Sequence, residues 1–417
     1  MRPQLEAVVG NHGIYEARRD EYRTGQKIPF RVSPTPLVLS PEQKKEVGKI
    51  GPDITGYFRA IDELHKTDER VREILDTNKP AIFLVDTPID YLFLRPDMVI
   101  TPKGFSINEV ETSPFGLALA EMLNRGYRGE GFETMVGDTA LTDHVHASTP
   151  ATGEIIYTPH TQQYAGQMTF LADEVFSGND RRWTASPAKE RKDTPGSVYR
   201  GFYLSEYDSD PDVKLLLESK IAGKQSISPS PTPHMEEKAV LSFIWDKRFE
   251  NHLRERLGPA AFNHLRGVIP PTWIVGQEQF FAPGMPNNMD TSLGLATLSR
   301  SKRTFVLKSS GFDASSSWAQ GVHFLHEKSA VDSYEILTNA QKARGLHVIQ
   351  EFTGGLSTPM NYDEDGNITP MSAKIRLTPY FSAKGKKEGE LVAIKATGCE
   401  RTDYIHAGSS SINTAVA

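Results

Sequence analysis

Residues 95–111 read RPDMVITPKGFSINEVE, and this stretch decides the predicted fold. Two β-prone runs, residues 98–100 and 105–107, flank a tetrapeptide at 101–104 that contains a proline and a glycine. This pattern predicts a β-hairpin with a tight turn. The acidic segment that follows the second run is therefore expected at the end of a strand.

Three carboxylates are expected to meet at one edge of this hairpin. Asp97 precedes Glu109 by twelve residues and Glu111 by fourteen. Glu109 and Glu111 should point to the same face, because side chains alternate along a strand. Clustered carboxylates suit Mg²⁺, which takes one or two of them and fills its other positions with water and substrate phosphates. The alternative is a solvated acidic strand end, which an isolated Glu-x-Glu pattern would favour.

A second candidate segment is an apolar strand that ends in a lysine. Residues 304–307 are β-prone, and Lys308 is followed by Ser309, Ser310 and Gly311 at the start of a Gly/Ser-rich stretch that reaches Trp318. Such a loop can fold over phosphates, since glycine allows close backbone approach and the lysine supplies a positive charge. A surface lysine beside a flexible loop is an equally good interpretation of this segment alone.

The third candidate is the strand at residues 348–352, which ends in Gln350, Glu351 and Phe352. Its exposed backbone and a carboxylate could bind an adenine and a ribose. A plain buried strand would have the same pattern, so this segment decides nothing by itself.

The rest of the chain predicts alternating helices and strands, an α/β (α+β) fold class. Ser40-Pro41-Glu42-Gln43 has the pattern of a capped helix start. Residues 177–233 are rich in Ser, Pro and charge and predict an inserted or mobile loop region. We expect helices at 41–64, 67–75, 117–123, 330–344 and 236–257, the last ended by Gly258-Pro259, and strands at 81–85, 304–307 and 347–352.

Composition excludes several classes of protein. A net charge of -6 and a pI near 6.1 show no overall excess of basic residues that would favour binding to nucleic acid or an anionic membrane. The single cysteine, Cys399, rules out an intrachain disulfide and a thiolate zinc site and fits a cytoplasmic protein. No signal-peptide pattern or membrane-length apolar run is present. The P-loop motif and a complete Rossmann glycine motif are also missing.

In this order, the three candidate segments resemble the circularly permuted branch of the ATP-grasp superfamily, of the glutathionylspermidine synthase type. The resemblance runs from about Asp97 to the C-terminus, with a gap over the predicted loop region. Arg95 and Asp97 match the family's Arg-x-Asp pair, and Glu109 and Glu111 match its Glu-x-Asn pair at the same spacing. Glu111 departs from the family pattern, which has asparagine there.

The resemblance also assigns roles to later residues. It implies that Lys308 contacts phosphate and that Gln350, Glu351 and Phe352 form the adenine hinge. It implies that Arg376, which precedes an aromatic run, is the family's late arginine. Residues 404–408 are similar to the closing segment, and Lys328 or Lys342 could be the second phosphate lysine.

The function implied by the resemblance is an ATP- and Mg²⁺-dependent ligase that joins a small-molecule carboxylate to an amine through an acyl phosphate. ADP and phosphate would be released, with the nucleotide held between two α/β subdomains. A small-molecule kinase or a non-catalytic nucleotide-binding protein are the alternatives, and no nucleic-acid or membrane partner is expected. The implied site has Mg²⁺ on Asp97, Glu109 and Glu111, the phosphates near Lys308, Ser309, Ser310 and Gly311, and Arg95 and Arg376 as catalytic cations.

Four regions are expected along the chain. They are an N-terminal α/β region at 1–95, a metal-binding part of the core at 96–176, a polar insertion at 177–235 and a nucleotide-binding part at 236–417. The oligomeric state stays open.

Overall fold

The computed structural model describes residues 31–84, 87–191, 196–276, 280–281, 289–312, 316, 321–364, 367–400 and 411–417. The strands in this part of the chain are β1 (Arg31–Val32), β2 (Phe93–Thr101), β3 (Gly104–Glu111), β4 (Thr152–Tyr157), β5 (Arg182–Pro187), β6 (Ser197–Gly201), β7 (Ser226–Ser228), β8 (Thr272–Val275), β9 (Phe280–Phe281), β10 (Phe305–Ser309), β11 (Val322–Phe324), β12 (His347–Glu351), β13 (Ser357–Glu364), β14 (Asn367–Ser382), β15 (Leu391–Glu400) and β16 (Ser411–Thr414). The α-helices are α1 (Pro41–Thr67), α2 (Glu69–Leu75), α3 (Leu117–Gly129), α4 (Ala140–Ser148), α5 (Ala165–Phe170), α6 (Pro211–Ile221), α7 (Glu250–Val268), α8 (Ser292–Ala296) and α9 (Ala330–Lys342).

These strands form three sheets. The seven-stranded sheet has the order β13-β1-β16-β15-β14-β2-β3, and the long β14 pairs with β13, β15 and β2. The five-stranded sheet is antiparallel and has the order β11-β10-β12-β8-β9. The four-stranded sheet, β5-β4-β6-β7, is parallel throughout. The mixture of helices with parallel and antiparallel sheets confirms the α/β (α+β) class.

The largest core lies between the seven-stranded sheet and the helices α1 and α7. Helix α1 starts as predicted: the hydroxyl of Ser40 accepts a hydrogen bond from the Gln43 backbone, and the Gln43 side chain accepts one from the Ser40 backbone. Its buried residues include Val47, Ile50 and Ile54, at the spacing that places apolar side chains on one helix face. A second core packs α3, α4 and α5 against β14, β15 and the four-stranded sheet.

A buried segment of residues 230–245, which we call the connector, runs through the interior in 3-10 turns. The phenol of Tyr57 on α1 donates to the Val240 carbonyl at 2.5 Å and accepts from the Ile244 amide at 3.1 Å. The connector therefore lies directly against the largest core.

Several local predictions are confirmed. The hairpin at 95–111 is β2 and β3, and its turn falls between Thr101 and Gly104. The predicted helices at 41–64, 67–75, 117–123 and 330–344 correspond to α1, α2, α3 and α9, and the later strands correspond to β10 and β12.

Three local predictions are wrong. Residues 177–233 are not a loop, because their described part contains β5, β6, β7 and α6, which bury apolar side chains in the four-stranded sheet and its core. The predicted strand at 81–85 is a 3-10 turn over Ala81–Phe83; Phe83 is buried there, whereas Leu84 is half exposed. The predicted helix at 236–257 is the connector followed by α7, which kinks at Gly258 and continues beyond Pro259.

Helix α1 and the turn between β14 and β15 pack backbone against backbone. A Cβ atom added to Gly51 would lie 2.0 Å from the Gly389 carbonyl oxygen, whereas one added to Gly48, on the same helix, would meet nothing within 4 Å. Only glycine therefore fits at position 51.

We predict that Gly51→Ala lowers the free energy of unfolding by about 1–3 kcal/mol or more, the usual cost of overpacking. Gly48→Ala is the matched control and should raise it by about 0.5–1 kcal/mol, because alanine restricts the unfolded chain. Denaturant unfolding of both variants measures the two effects. Equal changes at the two positions would contradict the close approach.

Candidate functional site

The acidic end of the hairpin is shaped by a β-bulge. Asp97 pairs with Glu109, and Arg95 pairs with Glu111, but Met98 pairs with Ile107, so Asn108 is the extra residue on β3. A bulge leaves its extra residue outside the ladder and bends the strand. The Asn108 carbonyl is thereby available to a group from another sheet.

Each of the three predicted metal carboxylates is paired with a cation of the protein. The Arg376 guanidinium donates to Asp97 at 2.9 Å, and the Arg95 Nε lies 3.2 Å from the other Asp97 oxygen. Arg95 also forms an ion pair with Glu111. Lys238 pairs with Glu109 at 2.9 Å.

The three carboxylates differ in how well they could bind a metal. They do not form a group whose ligand atoms all lie within 4.8 Å of one another. The Asp97 side chain is only 9% exposed and is held by two arginines, whereas Glu109 and Glu111 are 31% and 32% exposed. Two accessible carboxylates are enough for Mg²⁺ when phosphates and water supply the remaining oxygens. Glu109 and Glu111 therefore fit such an ion better than Asp97 does.

Lys308 joins the five-stranded sheet to this hairpin. Its ammonium group donates to the Asn108 carbonyl at 2.9 Å and to the Gln350 side chain at 2.6 Å. The Gln350 amide in turn donates to the Thr272 hydroxyl at 3.0 Å. The buried Gln350 side chain is thus occupied in holding Lys308.

The residues after Lys308 are anchored on the connector. Ser310 is fully buried; its hydroxyl accepts a hydrogen bond from the Ala239 amide at 2.9 Å. The Ser309 hydroxyl lies 3.3 Å from a ring nitrogen of His347. Gly311 lies so close to the Glu237 carboxylate that an added Cβ would be 2.8 Å from it. Most of the predicted phosphate loop beyond this point, including Trp318, lies outside the described residues.

The end of β12 offers an aromatic surface beside an exposed carboxylate. The Phe352 ring stacks on His326 with centroids 4.8 Å apart and meets the edge of Phe324 at 5.4 Å. Glu351 is exposed, and its backbone amide donates to the Pro271 carbonyl.

Lys238 is the site residue that the sequence predictions missed. Its ammonium group contacts the Glu109 carboxylate and the carbonyls of Ser310 at 3.1 Å and Ser316 at 3.0 Å. It therefore touches both the acidic hairpin and the loop after β10. The sequence carried no signal for it, because Lys238 follows two glutamates in a stretch that favours a helix. The closing segment at 404–408 lies outside the described residues.

The site carries more positive than negative charge. Five cations, Arg95, Lys238, Lys308, Arg376 and Lys395, interact with the carboxylates of Asp97, Glu109 and Glu111. The buried Nε of Arg376 has no hydrogen-bond partner among the described residues, and the Nε of Arg95 makes only its 3.2 Å contact with Asp97. Because unpartnered buried donors are costly, this arrangement suits an anionic ligand.

The same surroundings shift three pKa values. Burial raises the pKa of Glu111 to about 7, and the Arg95 charge opposes this rise. Burial also lowers the pKa of Lys308 to about 8, although Glu109 stabilises its charged form. Burial would raise the pKa of Asp97, but the charges of Arg376 and Arg95 lower it below its usual range. Asp97 thus stays ionised at neutral pH, whereas Glu111 exchanges a proton there.

Comparison with known proteins finds similarity only in three-dimensional structure. No family profile and no curated protein matches the sequence. A glutathione synthetase-like effector from Globodera pallida superposes with a TM-score of 0.56 at 11% identity, covering 99% of this chain and 94% of that chain. A protein of Methylobacillus flagellatus, provisionally assigned as a gamma-glutamylcysteine synthetase, superposes with a TM-score of 0.44 at 12% identity, covering 86% of each chain.

The similarity to the Globodera protein shows a shared fold. At this level of identity it carries no information on substrates. In the described part of the chain, each helix is too short or too polar to span a lipid bilayer.

The raised pKa of Glu111 predicts a specific pH dependence of stability. Since its pKa is about 7 in the folded protein and near 4.5 in the unfolded chain, the folded state binds the proton more tightly. This tighter proton binding contributes to the free energy of unfolding. The contribution is fully present below about pH 4.5 and is lost as the pH rises through about 7. Relative to Glu111→Gln, the wild type should lose free energy of unfolding across this window.

Denaturant unfolding between about pH 5 and pH 8 measures this difference. Glu69→Gln, which changes an exposed glutamate on α2, is the control and should give a curve parallel to that of the wild type. A Glu111→Gln curve that is also parallel would show that Glu111 titrates normally.

Proposed function

We propose that this chain is an ATP-dependent ligase that joins a carboxylate to an amine through an acyl phosphate. The observation that carries the proposal is a hydrogen bond between two sheets. Lys308, on the five-stranded sheet, donates to the Asn108 carbonyl in the acidic hairpin of the seven-stranded sheet, where cations outnumber carboxylates. A lysine, two accessible carboxylates and several arginines are the groups that phosphoryl transfer needs, because its catalysis consists mainly of positioning and charge compensation. The resemblance of the sequence to ATP-grasp enzymes supports the same assignment.

In this proposal, Glu109 and Glu111 hold Mg²⁺, which would neutralise charge on the ATP phosphates when bound. Asp97, first predicted as a ligand, instead orients Arg95 and Arg376, since both guanidinium groups contact its carboxylate. The unpartnered Nε of Arg376 supplies a donor for the γ-phosphoryl group or for the carboxylate that receives it.

Lys238 takes the role of the second phosphate lysine in place of Lys328 or Lys342. It already lies between Glu109 and the loop after β10, and both its contacts with that loop are backbone carbonyls. Nucleotide phosphates would replace these weaker acceptors with charged oxygens. Glu351 and Phe352, at the end of β12, would then contact the ribose and the adenine.

The reaction proceeds in two steps. A substrate carboxylate oxygen attacks the γ-phosphorus of ATP, and ADP leaves. The amine nitrogen then attacks the carbonyl carbon of the acyl phosphate, inorganic phosphate leaves, and the amine loses a proton. Arg95 and Arg376 stabilise the negative charge that develops in both steps, because they stay charged at all working pH values.

The chain order supports a circular permutation. Residues 31–39 lie beside residues 411–417: β1 pairs with β16, and the amide of Leu39 donates to the carbonyl of Ala417 at 2.9 Å. A chain that joined these segments directly could keep the same packing, which makes permutation inexpensive in free energy. The acids can therefore precede the lysine in sequence while the site is unchanged. We also propose that the chain divides into the four predicted regions, at 1–95, 96–176, 177–235 and 236–417.

We predict that Lys308→Met and Lys238→Met each weaken Mg-ATP binding by about 10- to 100-fold, the effect of losing a charge-assisted hydrogen bond. Lys302→Met is the matched control, since Lys302 is an exposed lysine just before β10, and it should bind ATP like the wild type. Calorimetry with and without Mg²⁺ measures the affinities. Unchanged affinity in both site variants would refute the proposed nucleotide site.

A separate assay tests the ligase chemistry. The protein is incubated with Mg-ATP, hydroxylamine and a panel of amino acids and dipeptides as carboxylate donors. An acyl phosphate gives a hydroxamate together with ADP, and Glu109→Gln should abolish both products. A stable phosphorylated product without hydroxamate would identify a kinase, and ATP binding without any turnover would identify a nucleotide sensor.

A further inference from the structure

A second group of ionisable side chains meets away from the acidic hairpin. His65 lies near the end of α1, Asp76 directly follows α2, and His234 lies on the connector. One possible ligand atom from each lies within 4.8 Å of the other two. Among the described residues, this is the only group of three His, Cys, Asp or Glu side chains with that property.

The contacts within the group are close. A ring nitrogen of His65 lies 2.7 Å from an Asp76 oxygen. The imidazole rings of His65 and His234 are stacked, with their centroids 3.8 Å apart and their planes 3° from parallel. The side chains of His65 and Asp76 are 15% and 22% exposed, so the group can be reached from solvent.

Two buried atoms beside this group have no hydrogen-bond partner. Nε2 of His234 and Oδ1 of Asp62 lie 3.6 Å apart, and neither makes a hydrogen bond. The His234 side chain is only 8% exposed. Because an unsatisfied buried polar atom is costly, a ligand that satisfied the His234 nitrogen would stabilise the folded protein.

We propose that His65, Asp76 and His234 bind a divalent transition-metal ion such as Zn²⁺. Two imidazoles with a carboxylate are a donor set that suits Zn²⁺, Co²⁺ or Ni²⁺. Mg²⁺ and Ca²⁺ prefer oxygen ligands alone, so this site would discriminate against the ion proposed for the ATP site.

Binding requires a small rearrangement of the two rings. The lone pairs of two stacked imidazoles lie in parallel planes 3.8 Å or less apart, so at least one ring must rotate about its Cβ–Cγ bond for both to face a shared ion. That torsion is broad and roughly two-fold in histidine, and the His234 nitrogen has no hydrogen bond to break. The proton between His65 and Asp76 would pass to solvent as the ion binds.

Such a site would fasten the connector to α1 and α2. His234 lies two residues before Glu236 and four before Lys238. A bound ion would therefore stabilise the segment that carries Lys238 toward the acidic hairpin.

The test is a titration of the full chain with Co²⁺ in the absence of nucleotide, followed by visible absorption. We expect one equivalent with the spectrum of a histidine-ligated ion and a rise in Tm. Zn²⁺ competition should remove the spectrum and keep the Tm raised, whereas a chelator should reverse both. His234→Gln should weaken binding by about 100-fold or more, since even outer-shell partners of a metal site contribute about 10- to 100-fold.

His264→Gln is the matched control. His264 also lies between two carboxylates, Glu46 at 2.7 Å and Asp53 at 2.5 Å, and its loss should leave Co²⁺ binding unchanged. Glu109→Gln controls for binding at the hairpin and should also have no effect. Circular dichroism without metal tests the folding of each variant. If His234→Gln does not fold, Asp76→Asn replaces it as the variant expected to lose Co²⁺ binding. Failure of the wild type to bind Co²⁺, or equal binding by His234→Gln or a folded Asp76→Asn, would overturn the proposal.

Discussion

Three consecutive charged residues on the buried connector fix the geometry on which the rest of the structure depends. Glu236 pairs with Arg200 of the four-stranded sheet, Glu237 pairs with Lys79 at 2.7 Å, and Lys238 pairs with Glu109 of the seven-stranded sheet. Lys79 and Glu237 are almost fully buried, and a buried charge is very costly without its partner, so this pair is strongly disfavoured from separating. A single short segment thereby holds partners from different parts of the fold.

The candidate site lies where these constraints meet. Lys238 binds both the acidic hairpin and the carbonyls after β10, while Lys308 crosses from the five-stranded sheet to the bulge at Asn108. The two lysines come from separate elements, and they converge because the sheets on both sides are held to the connector. Five cations there face the three carboxylates of Asp97, Glu109 and Glu111, and such a local excess of positive charge favours binding a polyanion.

The sequence predicted features that depend on neighbouring residues. The hairpin at 95–111 followed from its turn residues, α1 followed from the cap at Ser40, and β10 with its terminal lysine followed from apolar character. The resemblance to ATP-grasp enzymes stays a prediction, while the mixed α/β class that it implied agrees with the three sheets and their helices.

Features that depend on distant contacts could not be predicted. Lys238 acquires its position from Glu109, which lies far away in sequence, and Gln350 is held by a lysine on another strand. Three strands of the parallel four-stranded sheet lie where the sequence predicts a loop, because short strands such as Ser226–Ser228 gain stability from their neighbours and from the core beneath them. Local composition there is polar, and only the packed structure reveals the buried positions.

The most direct measurement is a crystal structure of the full chain with Mg²⁺ and a non-hydrolysable ATP analogue. We predict phosphate oxygens within about 2.7–3.2 Å of the ammonium groups of Lys308 and Lys238, and Mg²⁺ on Glu109 and Glu111. Lys308 would then have exchanged its contact with the Asn108 carbonyl for a phosphate. A nucleotide bound elsewhere, with Lys308 still held by Asn108 and Gln350, would refute the proposed nucleotide site.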